Sequence, residues 1–264
     1  MAIDSASVDR LLQAGVDNGD VPNVSEAHSK WEAATSTSNV LSGANVIFTA
    51  PLLADPGTTS TYGINADWLG KVIEAAGGVG LDVAVKGGIT GPLGMNETAF
   101  QIADAWKDGG LTPVQAKVEG TWVDSGIELN QSPEYHAGGH GLYSTPNDYI
   151  KFEQALLRGG ELGGARIMQS DTVDAALTNQ IGDLDFPTEI PSADPSASHE
   201  FNAGPGWKWG YGLLLNTADL PGMRRAGMNS PQDCVDLRSR LLDPLADPVP
   251  PPGRVLVLAA GAGR

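Results

Sequence analysis

The stretch TYGINADWLGKVIEAAGG, Thr61 to Gly78, sets a tyrosine just ahead of a segment with helical periodicity. Ile64, Trp68, Val72, Ile73 and Ala76 recur on one face, and the pair Gly77-Gly78 supplies a stop. A tyrosine at a helix entrance is a candidate general base. A base needs a nucleophile to serve, and this one's nucleophile must be sought elsewhere in the chain.

Working outward, residues 1–20 read as an N-terminal helix, with Ser5 or Ser7 as cap, Val8, Leu11 and Leu12 on one face, and Gly19 as stop. The segment from Pro22 to Ser42 is polar and without a period. ANVIFTAPLLADPGTTS then suggests a short extended run and a turn rich in Pro, Gly and Thr. Beyond the tyrosine helix, GPLGMNETAF reads as a tight turn with Met95 and Phe100 inside, and Asp104 to Thr121 as a short helix or a hairpin. In LYSTPNDYIKFEQALLRGG, Thr145 is placed as an N-cap, with Pro146 at the first helical position and Asp148 at the third. Tyr149, Phe152 and Leu156 form its apolar stripe and Gly159-Gly160 its end. Ser170 is expected to cap a further helix from Asp171 to Thr178, and WKWGYGLLLN, Trp207 to Asn216, alternates like one strand.

The 264 residues carry 16 Lys and Arg against 32 Asp and Glu, a formal charge of −16. That balance argues against nucleic acid and anionic membrane surfaces as partners. A single cysteine, Cys234, leaves no internal disulfide to form. The N-terminus has no basic region followed by an apolar run, and no segment approaches the length of a membrane span. The expected setting is cytoplasmic.

The order TYGINADWLGKVIE, GPLGMNETAF, AGGHGLYSTPNDYIKFEQALLRGGELGGARIM and WGYGLLLN resembles the serine hydrolases of β-lactamase fold, in particular the family VIII carboxylesterases related to class C β-lactamases and DD-peptidases. The resemblance covers about Asn39 to Ser230. It implies an α/β (α+β) fold, a helical subdomain beside an antiparallel sheet, and hydrolysis of small carboxylic esters through an acyl-serine, with no cofactor and no metal. It also implies three motifs brought together: Ser-x-x-Lys for the nucleophile, a tyrosine motif for proton transfer, and a third motif on an edge strand that lines the site. Tyr62 matches the second. The lactamase branch has Tyr-x-Asn there, whereas Ile64 stands two residues after Tyr62, a departure toward the esterase branch.

The first motif is absent. The residues three before Lys30, Lys71, Lys86, Lys107, Lys117, Lys151 and Lys208 are Ala27, Trp68, Val83, Asp104, Val114, Asp148 and Pro205, and none is serine. Relatives place that motif roughly a hundred residues before the tyrosine, where this chain has room for about twenty. An internal deletion of the nucleophile-bearing region is therefore expected, leaving an incomplete fold, mainly the helical subdomain with a reduced sheet. The third motif is due near Gly227 to Ser230, where the resemblance stops. Trp68-Leu69-Gly70 and His136-Ala137-Gly138 spell versions of it in the wrong places.

No Gly-x-Ser-x-Gly elbow exists to anchor an α/β-hydrolase reading. His136 and His140 stand four apart, but Gly138 and Gly139 between them oppose a helix, so they are assigned to the rim of a cleft rather than to a metal. Trp209 and Tyr211 are taken as further binding residues beside Tyr62. From residue 231 to 264 the text holds four arginines, no lysine and six prolines, and resembles a GC-rich gene read in another frame. Its last eleven residues, RVLVLAAGAGR, resemble the opening of a nucleotidyltransferase without the domain to follow it.

The expected organisation is thus an N-terminal helix (1–20), a partial β-lactamase-like domain (21–230) and an atypical tail (231–264). The expected behaviour is that of an ester hydrolase by ancestry, inactive or very weak alone. The competing readings are a non-catalytic ligand- or protein-binding remnant, and a fragment completed by another chain. Loss of the sheet would expose Trp68 and Phe152 and favour self-association.

Overall fold

The structure is a computed structural model that describes residues 31–32, 34–50, 55, 57–58, 63–107, 111–113, 115–118, 121–126, 128–184, 189–190, 199–200, 206–217 and 229–230. The N-terminal helix, Tyr62, Cys234 and the tail from 231 lie outside these residues.

The tyrosine segment forms α1, Asn65–Gly77, closed where expected: Gly78 has φ 64° and its N–H donates to the Glu74 carbonyl. The face it buries differs from the reading. Asp67 and Gly70 are its buried residues, with Ile64 buried just ahead of it, while Val72, Ile73 and Ala76 are only half-buried. A second helix, α2 (Leu81–Val85), folds back on α1 and runs into a wider turn at Lys86–Thr90. The expected extended run before Tyr62 is instead a 3₁₀ turn, Asn45–Thr49. Its start is fixed from far along the chain, because the Glu134 carboxylate accepts the Asn45 N–H at 2.7 Å. The turn carries fully buried Ile47 into a core with Ile64, Tyr135 and Ala137, and Phe48 and Trp68 pack at its edge.

The segment left open between helix and hairpin contains both, α3 (Asp104–Lys107) and the antiparallel pair β1 (Gln115–Val118) and β2 (Thr121–Asp124). Helix α4, Pro146–Leu157, starts as read: the Thr145 hydroxyl accepts the Asp148 N–H at 3.3 Å. The Asp148 carboxylate does not reach back to complete a capping box. It crosses to the turn at 97–98, where it accepts the Glu97 N–H at 2.7 Å and the Thr98 hydroxyl at 3.1 Å. Lys151 donates to its other oxygen at 2.8 Å and to the Gly94 carbonyl at 2.6 Å. This network ties the GPLGMNET turn to α4, and Leu93, Met95 and Ala155 pack beneath it with Phe152. Met95 is buried as read, whereas Phe100 is half-buried.

After α4 come a two-residue hairpin, β3 (Glu161–Leu162) with β4 (Ala165–Arg166), and α5, Ser170–Ala176. Ser170 is the first residue of α5 and Gln169 its N-cap, with no side-chain cap bond. The short pair β5 (Glu189–Ile190) and β6 (His199–Glu200) precedes a three-stranded antiparallel sheet of order β7-β8-β9. The expected single strand from Trp207 to Asn216 is two, β7 (Trp207–Trp209) and β8 (Leu214–Asn216), with β9 at Asn229–Ser230. Glycine explains the break: Gly212 has φ 72°, and a Cβ on Gly210 would lie 1.8 Å from the Ala176 carbonyl oxygen. Leu213 and Leu215 pack on Ala176 of α5. The described chain is thus helical hairpins and small antiparallel sheets, an α+β arrangement with a reduced sheet.

Candidate functional site

The first turn of α1 is held by a loop from far along the chain, residues 136–140. A Cβ on Gly138 would lie 2.3 Å from the Ala66 carbonyl oxygen, so only glycine lets the loop backbone come this near. The Gly139 N–H donates to Asp67 Oδ1 at 3.1 Å, and His140 Nδ1 stands 3.9 Å from the same oxygen. Both partners are out of water, Asp67 2% and His140 7% exposed. On the same loop, His136 Nε2 lies 3.8 Å from Asp82 Oδ1 on α2, and its ring tilts against Phe100 at 5.1 Å.

Burial decides the protonation chemistry. It pushes the Asp67 carboxyl up, against the pull of His140 and of the Gly139 and Gly138 N–H groups. It pushes the His140 imidazole down, against the pull of Asp67. Tyr135, buried beside them, is raised by burial and then by the Asp67 charge. One turn along α1, Lys71 pairs with Glu74 at 3.1 Å and sits over the rings of Tyr135 and Phe48, 5.2 and 5.6 Å from their centroids.

The two histidines placed at a cleft rim therefore share one loop, and both face aspartates of the helical hairpin. His140 is buried rather than at a rim, because the two glycines before it draw the loop onto α1. Trp209 is half-buried on β7 and Tyr211 largely exposed in the β7–β8 turn. Their backbones bond toward α5: the Gln180 N–H donates to the Trp209 carbonyl at 2.7 Å, and the Tyr211 N–H to Ala176 at 3.1 Å. Among the described residues, no group of three His, Cys, Asp or Glu side chains could hold a metal ion. Nor is any helix among them long and apolar enough to cross a membrane.

Sequence reasoning passed over Asp67 and Asp82. Asp67 reads as an ordinary first-turn acid favoured by the helix dipole. The available signal was the Gly-Gly pair between two histidines, which marks a backbone meant to approach something closely. The expected exposure of Trp68 and Phe152 is also corrected: Trp68 packs edge-on to Phe48 at 4.9 Å, and Phe152 joins the Leu93–Met95 cluster.

The arrangement is one member's version of a known fold. The β-lactamase family profile matches residues 13–232, and the chain belongs to that family. Among curated proteins it is 28% identical over 191 residues to lovastatin esterase of Penicillium rubens, covering 67% of this chain and 45% of that one. It is 29% identical over 130 residues to monacolin J acid methylbutanoyltransferase of Aspergillus terreus, covering 47% and 30%. A solved simvastatin synthase mutant, also from Aspergillus terreus, superposes with TM-score 0.54 at 23% identity over 79% of this chain and 53% of that chain. This likeness shows the fold, and the expected β-lactamase-like class holds. The chain spans under half the length of these curated relatives.

Proposed function

We propose that this chain descends from carboxylic ester hydrolases acting through an acyl-serine and that, by itself, it has little or no such activity. One observation carries the reading: a chain of this family contains no serine three residues before any of its lysines. Without an activated hydroxyl, Tyr62 has nothing to deprotonate, and loss of an acting nucleophile removes orders of magnitude of rate. The esterase and acyltransferase among the relatives support esters of small carboxylic acids as the ancestral substrate class. In the proposed site Tyr62 keeps the ancestral base position, with His136, His140, Trp209 and Tyr211 as binding residues.

A second reading is favoured by the shortness of the sheet, whose strands among the described residues are three, three and two residues long. In it the chain is a binding remnant, or is completed by a polypeptide that supplies the serine and further strands. Hydrolysis of p-nitrophenyl butyrate by the purified chain tests the first reading. The expected rate equals that of buffer, and equals that of Tyr62→Phe. A turnover that Tyr62→Phe abolishes would overturn it.

A further inference from the structure

The loop 136–140 presents two histidines to two aspartates of one helical hairpin, and neither pair is within hydrogen-bonding distance. The loop is held instead by backbone: the Gly139 N–H on Asp67, and Gly138 against Ala66. Such a contact is sensitive to charge, because its buried members cannot recruit water when one of them ionises.

We propose that the 136–140 loop is a pH-dependent clasp on the α1–α2 hairpin, closed at neutral pH and loosened by acid through His140. Among the described residues, the groups facing His140 are few. From α1 comes Asp67, with Tyr135 of the neighbouring segment also close to that carboxylate. Lys71 and Glu74, one and two turns further along α1, neutralise each other. From α2 comes Asp82, which faces His136. The segment packed on the loop's end brings an uncharged ring, Phe100, 3.2 Å from where a Cβ on Gly141 would lie.

The sign follows from burial. In the closed clasp His140 takes up a proton less readily than a free imidazole, whose ordinary value is 6.5. The opened loop, with His140 in water, therefore binds more protons, and acid below about 6.5 favours opening. Asp67 acts in the opposite sense, because its closed-state value lies above the ordinary 3.8. Its proton uptake stabilises closure from that raised value downward. The clasp needs no catalytic activity. Its output is the freedom of the first turn of α1, the turn that directly follows Tyr62 in sequence.

Hydrogen exchange of the whole chain, followed on peptides covering 136–141 and 63–70 and corrected for the intrinsic rate, tests the clasp between about pH 7 and about pH 5.5. The opening constant is expected to rise by up to about tenfold per pH unit, the limit for one linked proton. His140→Gln removes that rise with acid, leaving only the opposite trend of Asp67, and His136→Gln keeps it. In parallel, the His140 ring of the unaltered protein, followed by NMR, titrates below the value of free imidazole. Should His140→Gln not fold, this titration decides alone. A rise of opening with acid that survives His140→Gln, no such rise in the unaltered chain, or a His140 titration at or above the free value would each overturn the clasp.

Discussion

Two regions of this molecule are fastened by different means. Around Asp148, polar side chains reach across long sequence separations: one carboxylate collects the Glu97 N–H, the Thr98 hydroxyl and the Lys151 ammonium. Around Leu214, the β7–β8–β9 sheet is held by backbone approach and apolar contact, with Gly210 lying on the Ala176 carbonyl and Leu213 and Leu215 on Ala176 itself. The first region is nearly self-contained, since its donors and acceptors lie within 94–151. The second depends on a glycine that admits no side chain, and on strands of two or three residues. Isolated strands so short are marginal on their own. The polar ties around Asp148 thus close on one another without reaching the β7–β8–β9 strands.

The largest expected effect strikes the self-contained side. Asp148→Ala leaves Lys151 and the Glu97 N–H without their shared acceptor in a site where Asp148 is 3% exposed. A loss of about 3–5 kcal/mol is expected, read as a lower denaturant midpoint. A loss near zero would mean that the turn at 94–98 is held by its apolar contacts alone, erasing the contrast between the regions.

Gly210→Ala comes next, on the sheet side. The added Cβ would overlap the Ala176 carbonyl, and the displacement costs about 2–3 kcal/mol. The change should appear first as loss of exchange protection in 207–216, with 93–148 unaffected. Equal loss in both regions would show that they unfold as one unit and not two.

Glu153 sharpens the comparison from within α4. It is 2% exposed, and its Oε1 has no hydrogen-bond partner among the described residues. Desolvation raises its carboxyl above the ordinary 4.5. The folded state therefore binds a proton more readily than the unfolded chain, and stability falls as pH rises from 4.5 through the folded value. Glu153→Leu is expected to gain about 1–2 kcal/mol at neutral pH and to flatten that slope in thermal melts across about pH 4.5 to 7. The smallest effect is that of Thr145→Ala, which removes the N-cap of α4 and costs about 1 kcal/mol by denaturant titration.

What the sequence discloses follows the same division. Helix α1 and helix α4 announce themselves through Gly78 and through Thr145-Pro146, because their caps are local chemistry that a few adjacent residues specify. The β7–β8 break was concealed by alternating apolar residues, although Gly210 and Gly212 carried it. The turn at Asn45–Thr49 could not be read locally, since its anchor, Glu134, lies 89 residues away. The same reason hid the Asp67–His140 pair, which only the approach of the loop to α1 creates. The reading of Tyr62 rests on its motif, and the residue lies outside the described ones.

We propose that this member of the β-lactamase family carries no activated serine. Incubating the purified chain with a fluorophosphonate ester and recording its intact mass tests this most directly, because the probe labels serines that a protein has made nucleophilic. The expected result is a folded protein at its unmodified mass of 27.4 kDa. A stoichiometric adduct, lost in Tyr62→Phe, would show that another serine has been recruited and would contradict the claim.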